Sequence, residues 1–231
     1  GSWQDLWLNE GFATYLTGLT YELSGDTALW SSWRIGALNS IFSQRGGSVY
    51  ATDTSSFASL FNGRLQYNKG AYVLHMLRWE LGDEDFFQGL RNYIEDSTLR
   101  FSSARTDDFR EHMELVSGKS LANFFQLWVY EPGYPELYAV WRNRSDALQL
   151  TLIQKSSINR ADLIYPLKIV VRLIFEDNSY EEHIINMNST EDEFEWPINK
   201  RVRAVELDPE KWLMVDFEIR EEDEITSSVQ A

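Results

Sequence analysis

The chain has 231 residues, of which 21 are Lys or Arg and 36 are Asp or Glu, a formal charge of −15. So acidic a chain lacks the clustered cations that phosphate backbones and anionic membranes demand, so neither nucleic acid nor a charged lipid surface is an expected partner. The absence of cysteine excludes disulfide scaffolds, thiolate zinc fingers, iron–sulfur sites and thiol nucleophiles, while 43% hydrophobic and 14% aromatic residues are ample for a packed core.

No apolar run approaches the ~18 residues a membrane span requires. Gly1, with Ser2, reads as a cloning remnant. The apolar density of Trp3-Gln4-Asp5-Leu6-Trp7-Leu8 directly behind it marks the chain as a fragment of something longer. From about residue 4 to residue 130 the pattern is helical. Leu8, Phe12, Tyr15, Leu16, Leu19 and Leu23 recur at steps of three and four, one face of a helix that Ser24-Gly25 ends. Asp26 caps a second helix through Trp30, Trp33, Leu38 and Phe42. Residues 47–65 form a polar loop with one short helix around Phe57-Ala58-Ser59-Leu60-Phe61. A helix over Tyr67–Leu81 follows, closed by Gly82. Asp83 or Asp85 caps the next one, Thr106-Asp107-Asp108 caps another that ends at Gly118, and Ser120 caps the last, Leu121 to Val129.

Glu131-Pro132-Gly133-Tyr134-Pro135 cannot continue a helix, and beyond it the period falls to two. Leu148, Leu150 and Leu152 alternate, as do Leu167, Ile169, Val171, Leu173 and Phe175, with Glu176-Asp177-Asn178-Ser179 as a hairpin turn. Seven short strands in about 80 residues read as an antiparallel β-sandwich of Ig-like type. The expected organisation is α+β: a helical part over 1–135, a sandwich over 136–216 and an acidic tail or linker stub over 217–231.

His75, His112 and His183 stand apart, and no His-x-x-x-His pair occurs. No phosphate loop and no Gly-x-Ser-x-Gly elbow is present. One acidic residue is oddly placed: Glu10 lies inside the most apolar helix. A buried carboxylate needs a counter-charge, a metal or a hydrogen-bond network. The competing reading is an ordinary Glu on the polar edge of an amphipathic helix. Gly11 beside it weakens the helix but lets another element approach closely. Tyr67 follows a long loop at the first turn of a helix, where a phenol can donate a hydrogen bond to a developing oxyanion. A tyrosine at the edge of the core is the alternative. Lys69 reads as a solvated flank.

Trp3-Gln4-Asp5-Leu6-Trp7-Leu8-Asn9-Glu10-Gly11-Phe12-Ala13-Thr14-Tyr15 resembles the segment around the third zinc ligand of aminopeptidase N type zinc peptidases, peptidase family M1. Tyr67-Asn68-Lys69-Gly70-Ala71 resembles that family's Tyr-x-Lys-Gly segment. Trp128-Val129-Tyr130-Glu131-Pro132-Gly133-Tyr134-Pro135 resembles the junction between its catalytic domain and a β-sandwich. The resemblance implies the helical C-terminal part of a thermolysin-like catalytic domain and a metallo-aminopeptidase that removes N-terminal residues from peptides. It also implies Glu10 as a zinc ligand and Tyr67 as the catalytic donor to the oxyanion. The family's His-Glu-x-x-His motif precedes this glutamate by more residues than stand before Glu10, so the two histidine ligands and the general base are expected before residue 1. Zinc is therefore expected in the full-length enzyme and not on this fragment, which is expected to be inactive.

Two further expectations follow. Truncation should uncover the apolar face bearing Trp3, Trp7 and Phe12 and favour self-association, or the folding of the acidic tail or the 47–65 loop over that face. A non-catalytic peptide- or sugar-binding module would instead show Trp141, Trp196 and Trp212 projecting into solvent; at alternating strand positions they read as core.

Overall fold

The structure, a computed structural model, describes residues 2–100 and 102–222. It divides into two compact units, Gly1–Gly133 and Tyr134–Ala231. The chain is α+β, with the helices in the first unit and the strands in the second.

The helical unit contains α1 (Trp7–Leu23), α2 (Thr27–Phe42), α3 (Phe57–Leu60), α4 (Gly70–Leu81), α5 (Asp83–Glu95), α6 (Thr106–Ser117) and α7 (Ala122–Phe125). Its stops are glycines in the left-handed region, Gly25 (φ 75°) after α1 and Gly118 (φ 65°) after α6. The Asp26 carboxylate caps α2, accepting from Leu29 N at 2.9 Å. Two expected caps are replaced. Gly82 stands at the N-cap of α5 without a side-chain bond, because Asp83 is engaged by Arg78. The helix expected over 121–129 is α7 continued by a π-helical turn, Gln126–Tyr130. Glu114 Oε1, not Ser120, accepts from Leu121 N, at 2.6 Å.

Two features hold α1 in place. The first is steric. A Cβ on Gly11 would lie 2.9 Å from the carbonyl carbon of Gly70 and 3.2 Å from Ala71 N, so α1 and the start of α4 meet backbone to backbone where only glycine fits. The second is polar. Trp7 is wholly buried, and its Nε1 donates to Thr106 Oγ1 at 3.0 Å. Thr106 in turn donates to Asp5 Oδ1 from both its hydroxyl (2.7 Å) and its main-chain N–H (3.0 Å). Asp5 thus caps α6 from 101 residues away.

This arrangement corrects the expectation of an uncovered aromatic face. Trp7 packs edge-on to Phe109, and Phe12 stacks on Tyr93 and meets Phe109 edge-on. Of the three aromatics, Trp3 alone is exposed, at 61%. Among the described residues, no helix is long and apolar enough to cross a membrane.

The second unit has strands β1 (Pro135–Asn143), β2 (Ala147–Ser156), β3 (Leu167–Phe175), β4 (Tyr180–Met187), β5 (Glu191–Pro197), β6 (Val202–Leu207) and β7 (Asp216–Glu221). They form a four-stranded sheet in the order β5-β2-β1-β7 and a three-stranded sheet in the order β4-β3-β6. Alternate residues are buried as the period of two requires: Leu137, Ala139 and Trp141 on β1, Leu148, Leu150 and Leu152 on β2, and Leu167, Ile169, Val171, Leu173 and Phe175 on β3. The β3–β4 turn carries Asn178 at φ 65°.

Two expectations are corrected here. The sheets are not wholly antiparallel, because β7 pairs in parallel with β1, Glu136 opposite Asp216 through Trp141 opposite Glu221. The acidic tail therefore does not start at 217. Phe217 and Ile219 alternate with charged neighbours, and Asp216–Glu221 completes a sheet edge. The rest of the expected tail, 223–231, lies outside the described residues. Of the tryptophans that a binding module would expose, Trp141 is buried and Trp196 and Trp212 are half-buried. Trp196 stacks on His183 and Phe194.

Candidate active site

The Gly11–Gly70 contact decides what meets at the candidate site. Glu10 precedes one glycine and Tyr67 lies one turn before the other. The close approach of the two backbones brings the half-buried Glu10 carboxylate within hydrogen-bonding reach of the half-buried Tyr67 phenol. Burial raises the phenol pKa above its ordinary value, and the hydrogen bond to Glu10 and the carboxylate's negative charge raise it further. Tyr67 is therefore protonated at neutral pH and is the donor of the pair. Both residues have the exposure needed to meet a further group.

Tyr67 does not sit in an α-helical first turn. It lies in a π-helical turn, Gly63–Lys69, in which Gly70 N donates to Leu65 O five residues back. Such turns are rare and concentrate at functional sites. Asn62 caps it, its Oδ1 accepting from Arg64 N and Leu65 N.

Lys69 is the clearest correction to the sequence reading. It is 1% exposed, not a solvated flank. Its Nζ donates to Gly47 O at 3.0 Å and Gly133 O at 2.8 Å. The signal was available in the sequence, since Lys69 falls on the same stripe as Leu65, Val73 and Leu77, at steps of four. Burial, and then the Arg64 guanidinium, pull the ammonium pKa down to about 7.

The stability consequence has a definite sign. Below about pH 7 the folded and unfolded states both hold the proton, and nothing changes with pH. Between there and the unfolded value of about 10.4 the unfolded state binds more protons, so Lys69 makes stability rise with pH, by roughly 1 kcal/mol per unit. Denaturant titrations from pH 7 to 9 are expected to show this slope in the parent sequence and not in K69M. Equal slopes would refute the burial argument.

The donor set is, among the described residues, incomplete for a metal. Among the described residues, no group of three or more His, Cys, Asp or Glu could hold a metal ion. Glu10 is a single candidate ligand, and one carboxylate does not make a zinc site, which takes three or four protein ligands. An open cavity of about 410 Å³ beside the start of α1 is lined by Asp5, Leu8, Asn9, Tyr93 and Arg100 among others. Neither Glu10 nor Tyr67 lines it.

The class this defines is an α+β protein in which a helical unit pairs a carboxylate with a protonated phenol. The sequence profile of the Peptidase family M1 domain matches residues 1–128, and the chain belongs to that family. It is 34% identical over 143 residues to "Probable aminopeptidase 2" of Sulfurisphaera tokodaii, covering 59% of this chain and 18% of the relative. It is 33% identical over 144 residues to "Aminopeptidase N" of Lactococcus lactis subsp. cremoris, covering 59% and 17%. Similarity to "Tricorn protease-interacting factor F2" of Thermoplasma volcanium, at 25% identity over 215 residues, extends across 83% of the chain and 26% of the relative. The fold matches the crystal structure of Legionella pneumophila aminopeptidase A in complex with aspartic acid, with a TM-score of 0.76 and 21% identity over 94% of this chain and 24% of that one. The chain thus spans about a quarter or less of the length of each of these proteins.

Proposed function

We propose that the chain is part of a zinc aminopeptidase that removes N-terminal residues from peptides, in which Glu10 is one metal ligand and Tyr67 the oxyanion donor. The backbone approach of Gly11 to Gly70, which places the Glu10 carboxylate near the Tyr67 phenol, carries the reading. Zinc, when bound, would supply polarisation of the scissile carbonyl and activation of water. The part played by this chain is narrower. Glu10 supplies an anionic oxygen held by a helix whose backbone is locked against Gly70. Tyr67 supplies an O–H that stays protonated at neutral pH, the state needed to stabilise a tetrahedral oxyanion. Alone, the chain has one ligand and no general base assigned, and we propose that it holds no stoichiometric zinc and hydrolyses nothing.

The test is E10A in the full-length enzyme. The expected result is zinc affinity weakened by more than about 100-fold, beyond the loss typical of an outer-shell partner, read by metal analysis after dialysis against chelator, with activity falling in parallel. Zinc retained at one per chain in that variant would remove Glu10 from the ligand set. Dialysed Gly1–Ala231 binding one zinc per chain, with turnover, would overturn the inactivity of the fragment.

The geometry also makes a steric prediction. G11A puts a methyl group 2.9 Å from the Gly70 backbone, which cannot yield as a side chain tip would. It is expected to cost about 1–3 kcal/mol of stability, because overpacking must separate the two backbones, and to part Glu10 from Tyr67. Chemical denaturation checks the first effect, and a phenol pKa returned towards the ordinary value checks the second.

A further inference from the structure

The π-helical turn Gly63–Lys69 is tied down by nearly every side chain it has except Tyr67. Arg64 Nη2 donates to Gly46 O at 2.8 Å. The buried Gln66 donates from Nε2 to Val49 O at 3.1 Å. Asn68 Nδ2 donates to Ser40 Oγ at 2.9 Å. Lys69 bridges Gly47 O and Gly133 O. Gly47 O also accepts from Gly133 N at 3.2 Å, so the Lys69 nitrogen closes a three-way junction between the 46–50 loop, the end of the helical unit and the turn. Gly47 stands at φ +93°, and a Cβ there would lie 2.8 Å from Leu65 Cδ1 and 2.9 Å from Arg64 Nη2. The loop is fitted against the turn at van der Waals distance.

An apolar side chain in the Lys69 pocket would carry no desolvation penalty of its own but would take the Lys69 hydrogen bonds from Gly47 O and Gly133 O. The buried amine is itself costly to desolvate, and what offsets that cost is its pair of hydrogen bonds, which tie the turn to the 46–50 loop and to Gly133. What lies two residues away, on the same turn, is the phenol that meets Glu10.

We propose that Lys69 is a positioning residue for Tyr67: by anchoring the π-helical turn to Gly47 O and Gly133 O it fixes where the phenol is presented to the reacting carbonyl. The inference rests on the assignment of Tyr67 as oxyanion donor. An ammonium has three N–H groups and a neutral amine two, so the anchor survives loss of the proton. The anchoring is thereby independent of the protonation state.

The experiment is a double-mutant cycle in the full-length peptidase with K69M, Y67F and the double variant, reading kcat, KM and zinc content. A displacement of the order of 1 Å lowers turnover by about 10²-fold. K69M is expected to lower kcat on that scale with KM and zinc unchanged, and to lower it no further in the Y67F background. A kcat loss of the same factor in both backgrounds, or lost zinc, would show general structural damage and overturn the proposal. So would unchanged kcat in K69M. Full activity in Y67F would overturn the site assignment itself, an outcome distinct from both. If K69M does not fold, K69Q, with a shorter side chain that keeps N–H donors, takes its place. Its loss must likewise vanish in the Y67F background, and an additive loss rejects the inference.

Discussion

Replacing Tyr67 with Phe is expected to lower kcat of the full-length peptidase by about 10²–10³-fold while zinc content is unchanged. The magnitude is that of removing one preorganised donor to an oxyanion. The substitution deletes one O–H and leaves the ring, so packing at the turn is preserved. The effect should fall on kcat more than on KM, because the donor is worth most when the carbonyl oxygen has become an anion. Parallel measurement of kcat, KM and metal content checks it. Tyr67 lies close enough to Glu10 for the carboxylate to raise the phenol pKa, and Y67F removes only the hydroxyl, so zinc affinity should rise or stay level. Loss of zinc in Y67F would mean that the phenol supports the metal site instead of the transition state.

The largest effect on stability is expected at Arg78. It is 7% exposed and donates to Glu22 through Nη1 (2.6 Å) and Nη2 (3.2 Å), and to Asp83 through Nε (2.7 Å) and Nη2 (2.9 Å). It also lies over the Phe87 ring, 5.1 Å from the centroid. Burial alone would depress the Arg78 pKa, but the hydrogen bonds with Asp83 and Glu22 more than offset it, and the pKa is raised. R78M keeps the stem and removes four charge-assisted bonds. The expected loss is about 3 kcal/mol, at the low end for breaking a buried pair, because Asp83 is 65% exposed and regains water. Urea unfolding of the chain measures it; a loss under about 1 kcal/mol would show the pairs to be screened as ordinary surface bridges are. The Arg78 hydrogen bonds hold the Asp83 carboxyl below its usual range. That contribution is present above the ordinary carboxylate pKa and is lost as pH falls through the depressed value, so the gap between parent and R78M should narrow in acid.

How legible the site is in the sequence depends on which interactions are local. Glu10 stands out because a carboxylate on an apolar helix violates the pattern around it. Gly11 reads as a point of close approach, and it is one, against Gly70. That these residues and Tyr67 belong to one site comes from the resemblance of two separated segments, since no spacing in the chain links residue 10 to residue 67. Lys69 misleads because its charge outweighs its place on the stripe. The π-helical turn is invisible, because it depends on what Arg64, Gln66, Asn68 and Lys69 grip elsewhere.

Much of the chain follows from the sequence alone. The helix period before residue 130, the strand period after it, the left-handed glycines and the Asp26 cap are short-range effects: each needs only neighbours within a turn or a pleat. Tertiary structure decided three things. It recruited Asp83 to Arg78 and away from capping α5. It turned Asp216–Glu221 from apparent tail into a parallel strand beside β1. It also placed the donors of Lys69 and Thr106 against acceptors far away in the chain. The physical reason is common to all three. A buried or edge polar group must find a partner, and the nearest acceptor in space is set by how the elements pack, which no window of sequence contains.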